Sequence, residues 1–245
     1  MILVAGGTST LGTQVVRLLT GRGRPVRVLT RDPARAAQLP GTVETLTGDV
    51  RDPATVAAAV RGCTTVVSAV HGFAGPGRPS PESVDRDGNR TLIQAATAAG
   101  AEHMVLVSML DAAPGPGRNP ISFVSARDVA AVVDLAVHDP SLRGQFLEVA
   151  GPERLTFTQL ADRLVAATGR PGRVRHIPLP MLRAMSVLAR PFAPVFARQA
   201  QAAVVMNTTD MAADGAALRA RFPAISATTL DELLRQQPPL GARTS

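Results

Sequence analysis

The chain has 245 residues, 45% hydrophobic and 18% charged, enough for one large α/β domain or for a core with a smaller appendage. Its formal net charge is +7, but all 26 basic residues are arginines spread along the chain, and only 3% of residues are aromatic, which argues against nucleic-acid binding. The single Cys63 rules out an intramolecular disulfide framework, and the four histidines, His71, His103, His138 and His176, are too scattered for a metal site.

In chain order, short Val- and Leu-rich runs at Ile2–Ala5, Val26–Thr30, Val43–Thr47, Thr65–Ala69 and Met104–Ser108 predict strands. The helical patterns between them make this the alternation of a parallel sheet. In the first helix Leu11, Val15, Leu18 and Leu19 share a face, and Gly21 and Gly23 end it. Asp32-Pro33 and Asp52-Pro53 read as helix starts, with Asp as N-cap and Pro at the first helical position. A further helix is expected over about Val84 to Ala99, ending at Gly100.

After Ser108 the rhythm breaks. Asp111 to Pro120 reads as a Pro/Gly loop leading to a short strand at Ile121–Val124. Ser125-Ala126-Arg127-Asp128 has capping-box spacing and opens a helix to about His138; Gln145–Ala150 reads as another strand. Thr156 to Thr168, Leu179 to Leu188 and Pro194 to Met206 are helical, and the tail from Gln236 is expected to fray. There is no basic-then-apolar leader, and Arg183, Arg190 and Arg198 interrupt the apolar stretch from Pro178 to Met206, so no transmembrane segment and a soluble, cytoplasmic location are expected.

The stretch Gly6-Gly7-Thr8-Ser9-Thr10-Leu11-Gly12 joins the first strand to an amphipathic helix. Such a turn presents free backbone N–H groups and the positive end of the helix dipole to a pyrophosphate, with glycine where a side chain would block the approach. At the end of the second strand, where a protein selecting NAD often places an acid, Arg31 offers a fork for a 2′-phosphate, which favours NADP(H) over NAD(H). Arg35 lies one helical turn on. Asp49 is placed to accept from an adenine amine and Val50 to pack on the ring. Ala69 and Val70 are small enough to lie against ribose and nicotinamide, and His71 is the nearest ionisable group.

Together these motifs resemble the atypical short-chain dehydrogenases/reductases of the NmrA-like, NAD(P)-binding group. Gly6–Gly12 is similar to that family's glycine-rich turn, Val28-Leu29-Thr30-Arg31 to its NADP-favouring strand end, Gly48-Asp49-Val50 to its adenine loop, and Phe123–Ala130 to the segment that returns from the substrate lobe. The resemblance implies an α/β fold: a Rossmann-like, doubly wound parallel sheet over residues 1–112, and a small C-terminal α+β lobe over 113–245 that returns a strand at 145–150. It implies NADP(H) as cofactor, held by Gly6, Thr8, Ser9, Thr10, Leu11, Gly12, Arg31, Asp49, Val50, Ala69, Val70 and His71, and no metal.

Two departures stand out. Ser9 replaces the family's middle glycine, where its Cβ would crowd the pyrophosphate and its hydroxyl would donate to it. The family's Lys-bearing helix and sixth strand have no room between Ser108 and Ile121, and the chain contains no Lys and no Tyr. Ser108, at the end of the fifth strand, and His71 remain as candidate catalytic groups. Three readings stay open: an NADP(H)-binding redox sensor or weakly catalytic relative, a reductase of a small carbonyl or quinone-like substrate, and a scaffold that has lost the cofactor. Leu179, Met181, Leu182, Met185, Leu188, Phe192, Val195 and Phe196 would serve core packing, an apolar substrate pocket, a dimer or protein-partner face, or a membrane surface.

Overall fold

The computed structural model describes residues 1–72, 82–108, 113–114, 120–168 and 177–236. Most of the Asp111–Pro120 loop, His176 and the tail beyond Gln236 lie outside these residues. Contacts divide the chain into two compact units, one of Met1–Met109 with Ala126–Phe146, the other of Leu110–Ser125 with Leu147–Ser245.

In the first unit the order is β1 (Ile2–Ala5), α1 (Thr10–Gly21), β2 (Val26–Thr30), α2 (Pro33–Ala36), β3 (Glu44–Thr47), α3 (Pro53–Val60), β4 (Thr65–Ser68), a π-helical turn (Glu82–Gly88), α4 (Asn89–Ala98), β5 (His103–Leu106) and α5 (Ala126–His138). The five strands form one parallel sheet in the order β3-β2-β1-β4-β5. Strand alternation sorts the core onto two faces. Ile2 and Val4 pack with Val15, Val16, Leu19, Ala130 and Val133 on the α1 and α5 side; Leu3 and Ala5 pack with Val56, Val60, Val66, Leu92 and Ala96 on the α3 and α4 side. Because β1 is covered on both faces, it reads as an uninterrupted apolar run, and all four residues of β4 are buried with it.

Local signals set the helix starts. Asp32 accepts from the Ala34 and Arg35 amides, and Asp52 from the Ala54 amide, each just before Pro. Between β2 and β3, Arg27 makes a two-point bond to Glu44 (2.8 and 3.1 Å) and donates to the carbonyls of Ala59 and Arg61, so one guanidinium ties two strands to the end of α3. Burial pushes the Cys63 thiol above its usual value, with nearby Arg27 pulling the other way.

The second unit holds β6 (Ala113–Pro114), β7 (Ile121–Ser122), β8 (Arg154–Leu155), α6 (Phe157–Thr168), α7 (Leu179–Leu188), α8 (Pro194–Thr208), β9 (Thr209–Asp210), α9 (Ala216–Arg221) and α10 (Leu230–Gln236). Among the described residues its strands pair as the antiparallel two-residue ladders β6 with β9 and β7 with β8. Phe123 and Phe157 meet edge to face at 5.6 Å, and Glu153 accepts from Arg163 (2.6 Å) and the Leu230 amide (2.8 Å).

The structure differs from expectation in four places. Gln145–Ala150 is not a strand: it follows a turn at Gly144 (φ +70°), Gln145 bonds back to Leu142 and Ser141, and Phe146 stands 81% exposed. What returns to the first unit is α5, because its stripe of Ala130, Val133 and Val137 completes the core beside α1, so no single boundary at residue 112 separates core from lobe. The strand expected at Ile121–Val124 stops at Ser122, where the Phe123 amide turns back to the Ile121 carbonyl (3.0 Å). The helix expected over Val84–Ala99 begins as the π-helical turn and becomes α-helical only at Asn89.

Leu3→Ala should destabilise the protein by about 2–5 kcal/mol in urea denaturation, since Leu3 is fully buried in the central strand. The single thiol should react with an aromatic disulfide reagent far more slowly in the native protein than in denaturant, because Cys63 is both buried and held protonated.

Candidate functional site

In an open parallel sheet the binding crevice lies beyond the carboxyl ends of the strands, where the winding direction reverses. Here that reversal falls between β1 and β4. The turn leaving β1 is pinned there on both sides. The Gly6 amide donates to the Leu29 carbonyl of β2 (3.2 Å), and a Cβ on Gly6 would stand 2.7 Å from the Ala69 carbonyl oxygen beyond β4. Gly6 also has φ +79°, and a Cβ on Gly12 would run into the Gly6 carbonyl oxygen.

This crowding draws the first turn of α1 against the strand end. Ser9 is its N-cap: its backbone is extended (φ −74°, ψ 167°), and its Oγ accepts from the Gly12 amide at 3.0 Å. The expected crowding by Ser9 therefore has a local resolution, because the side chain folds back onto its own helix and keeps its O–H for a further acceptor. The amides of Thr10 and Leu11 have no acceptor among the described residues. Two free N–H groups at the positive end of a twelve-residue helix, with no side chain filling the turn, fit the pyrophosphate of a dinucleotide. Thr8 shares a 2.8 Å hydrogen bond with Thr30, whose Oγ1 also accepts from the Asp32 amide (3.1 Å), so the glycine turn is tied to the exit of β2.

At that exit the charges are apportioned. The Asp32 carboxylate caps α2 and pairs with Arg35 at 3.4 Å, which occupies Arg35 as well. Arg31 is exposed and forms no ion pair or hydrogen bond among the described residues; its charge is felt at Asp49, beyond β3. Asp49 accepts from the Arg51 amide (2.9 Å), Nε (3.0 Å) and Nη2 (2.6 Å). These bonds hold its carboxyl below the usual range against a smaller opposing cost of burial. Asp49 thus has an internal partner that sequence reasoning missed, at a spacing of two residues. Val50 is buried against the Gly88 backbone.

Beyond β4, Ala69 is buried and its amide bonds to the Ala5 carbonyl (2.9 Å); Val70 is half-buried and His71 exposed. Ser108 is exposed on the neighbouring strand exit, where Val107 bonds to the Ser68 carbonyl (3.0 Å). A second unanticipated feature lies behind this exit. Buried Ser68 donates to Asn89 Oδ1 (2.6 Å), Asn89 donates to the Asp85 carbonyl (2.7 Å), and the Asp85 carboxylate accepts from the Gly72 amide (2.7 Å). The π-helical turn is thereby strapped to the segment carrying His71. In sequence, Ser68 and Asn89 look like an ordinary strand end and helix start.

The remaining histidines are structural where described: His103 Nε2 meets the Ala136 carbonyl (2.9 Å) and His138 Nδ1 the Asp134 carbonyl (2.8 Å). Among the described residues no three His, Cys, Asp or Glu side chains gather to hold a metal ion, and no helix is long and apolar enough to cross a membrane.

Comparison with known proteins agrees with this geometry. A family model described as NAD(P)H-binding matches residues 6–131. The chain is 30% identical to an NAD(P)H azoreductase of Xenophilus azovorans, over 77% of this chain and 80% of the relative. It is 28% identical to a (4-alkanoyl-5-oxo-2,5-dihydrofuran-3-yl)methyl phosphate reductase of Streptomyces griseus, over 82% and 86%. The fold is shared with an NADPH-dependent quinone oxidoreductase from Escherichia coli solved with NADPH, at a TM-score of 0.71 and 17% identity, covering 96% of this chain and 99% of the other.

Asn89→Leu should cost about 1–3 kcal/mol by leaving the buried Ser68 hydroxyl without its acceptor, and adding Ser68→Ala should recover part of that loss in a double-mutant cycle. The Asp49–Arg51 pair should add stability above the unfolded carboxyl value of about 3.9, lost as pH falls through the lower folded value. Arg51→Ala should move the Asp49 titration upward in carbon-detected NMR.

Proposed function

The chain belongs to the NAD(P)H-binding family, and we propose that within it this protein is an NADP(H)-dependent reductase of conjugated, apolar electron acceptors of the quinone or azo type. The cofactor preference rests on the apportioning of charge at the β2 exit. A ribose 2′-hydroxyl would seek a free carboxylate there, but Asp32 is spent on capping α2 and pairing with Arg35, whereas Arg31 is unpaired among the described residues and suits a 2′-phosphate. Gly6, Thr10, Leu11, Gly12 and the Ser9 hydroxyl hold the pyrophosphate, Asp49 and Val50 border the adenine, and Ala69 to His71 with Ser108 border the nicotinamide half.

When bound, the reduced nicotinamide supplies a hydride equivalent. The chain has no Tyr and no Lys to protonate an alkoxide, and Ser108 polarises a carbonyl but does not readily protonate it. An acceptor that becomes a delocalised anion on reduction takes its proton from water without a protein acid. The absence of the usual acid thus favours quinones and azo compounds over simple ketones, in line with the Xenophilus azoreductase and the Escherichia quinone oxidoreductase. Only twelve residues separate Ser108 from Ile121, too few for both a helix and a sixth strand, so the Lys-bearing segment is read as lost.

The same absence favours a second reading, a redox sensor that binds NADP(H) and turns over nothing. Calorimetric titration with NADPH and NADH tests the cofactor: NADPH should bind more tightly, and Arg31→Ala should weaken NADPH by about 10–100-fold while leaving NADH nearly unchanged. An equal effect on both cofactors would rule out Arg31 as the partner of the 2′-phosphate. NADPH oxidation driven by a quinone or azo dye, and undiminished in His71→Ala, would support the reductase with water as proton source. Tight binding without turnover of any such acceptor would leave the sensor.

A further inference from the structure

In the second unit, α7 and α8 pack on each other and each buries a narrow stripe, Leu182 and Ser186 on α7, Ala197, Ala200 and Val204 on α8. Outside these stripes large apolar side chains stand in the open: Leu188 on α7 is 72% exposed, Phe192 in the turn 89%, and Phe196, flanking the buried stripe at the start of α8, 45%. The turn that presents Phe192 is closed by the Phe192 and Ala193 amides, which both donate to the Ala189 carbonyl (3.2 and 2.7 Å), and Pro191 and Pro194 restrict its backbone further. Arg183 and Arg190 are exposed on the same hairpin, and from Ile177 to Thr208 the sequence has three arginines and no carboxylate.

We propose that this helical hairpin is a peripheral membrane-binding surface selective for anionic lipid headgroups. Leu188, Phe192 and Phe196 enter the boundary between headgroups and acyl chains, and Arg183 and Arg190 meet the lipid phosphates. Two observations favour a bilayer over other occupants. A second copy docked face to face would set arginine against arginine with no carboxylate on the hairpin to offset them, whereas an anionic surface complements both charges. The most exposed apolar groups also project from a turn, a shape that penetrates a deformable interface without needing a matching socket. The helices, of ten and fifteen residues, are too short to span a bilayer and lie along its surface.

The test is co-sedimentation of the full-length protein with phosphatidylcholine vesicles, with and without phosphatidylglycerol, at low and high salt. The protein should pellet with the phosphatidylglycerol vesicles at low salt and much less at high salt or with phosphatidylcholine alone. Leu188→Ser/Phe192→Ser should lower partitioning at least about tenfold with an unchanged circular dichroism spectrum and denaturation midpoint. Arg183→Gln/Arg190→Gln, which keeps Leu188, Phe192 and Phe196, should abolish the preference for the anionic lipid, with an unchanged denaturation midpoint showing that loss of the Arg190–Ser186 bond has not unfolded the hairpin. A protein that stays in the supernatant, binds both vesicles equally, or pellets undiminished in both variants overturns the proposal. So does a dimer in sedimentation equilibrium that Leu188→Ser/Phe192→Ser converts to monomer, which would make the hairpin an interface between copies.

Discussion

At the exit of β1 the main chain passes so close to itself and to the end of β4 that no Cβ fits at Gly6 or Gly12. The first unit is organised around that approach. Gly6 takes a positive φ so that its amide reaches β2 while its carbonyl accepts from the Ser9 amide (3.0 Å), and the chain then enters α1 directly. A helix that starts this close to the sheet lays Val15, Val16 and Leu19 on the β1 and β2 side chains, and α5 closes the same layer. The free Thr10 and Leu11 amides are therefore consequences of packing: the contacts that bury one face of α1 aim its positive end into the crevice.

Around the crevice, charge pairing decides which groups remain for a ligand. Individually such surface pairs contribute little to stability. Their effect here is to assign partners: Arg35 to Asp32 and Arg51 to Asp49. Further from the site Arg22 bonds Asp134 (2.8 Å), a buried carboxylate whose other oxygen has no hydrogen-bond partner and lies 3.4 Å from His138. Where the pairing is a planar two-point fork, as for Arg51 on Asp49 and Arg27 on Glu44, lysine would not reproduce it. Arg31 is left as the cation at the β2 exit by this distribution rather than by its sequence position alone.

The chemistry available at the site follows from what the chain lacks as well as what it places. A glycine turn with free amides binds a dinucleotide without regard to the reaction that follows, so the NAD(P)H-binding family fixes the class of cofactor and leaves the acceptor to the groups around it. The Ser68–Asn89–Asp85–Gly72 strap supports the β4 exit from behind and ties it to the π-helical turn, although His71 itself is exposed.

By itself the sequence determined the features whose causes lie within a few residues or on both faces of a strand. β1 and β2 begin and end where their Val/Leu runs do, α7 spans the expected residues, and the two Asp-Pro starts cap their helices. The glycine turn was legible because positive φ and close approach restrict residue type strongly. Only the tertiary structure decided the rest. An apolar-rich segment such as Gln145–Ala150 becomes a strand only if it pairs with a sheet edge, and here it does not, while α5 covers the sheet face beside α1. The Ser68–Asn89 bond joins residues 21 apart in sequence, and whether Arg31 is left without an ion pair among the described residues depends on which carboxylates its neighbours had already engaged. Caps and strand faces are set by local backbone geometry, whereas hydrogen-bond partners and sheet edges are set by which elements the fold makes neighbours.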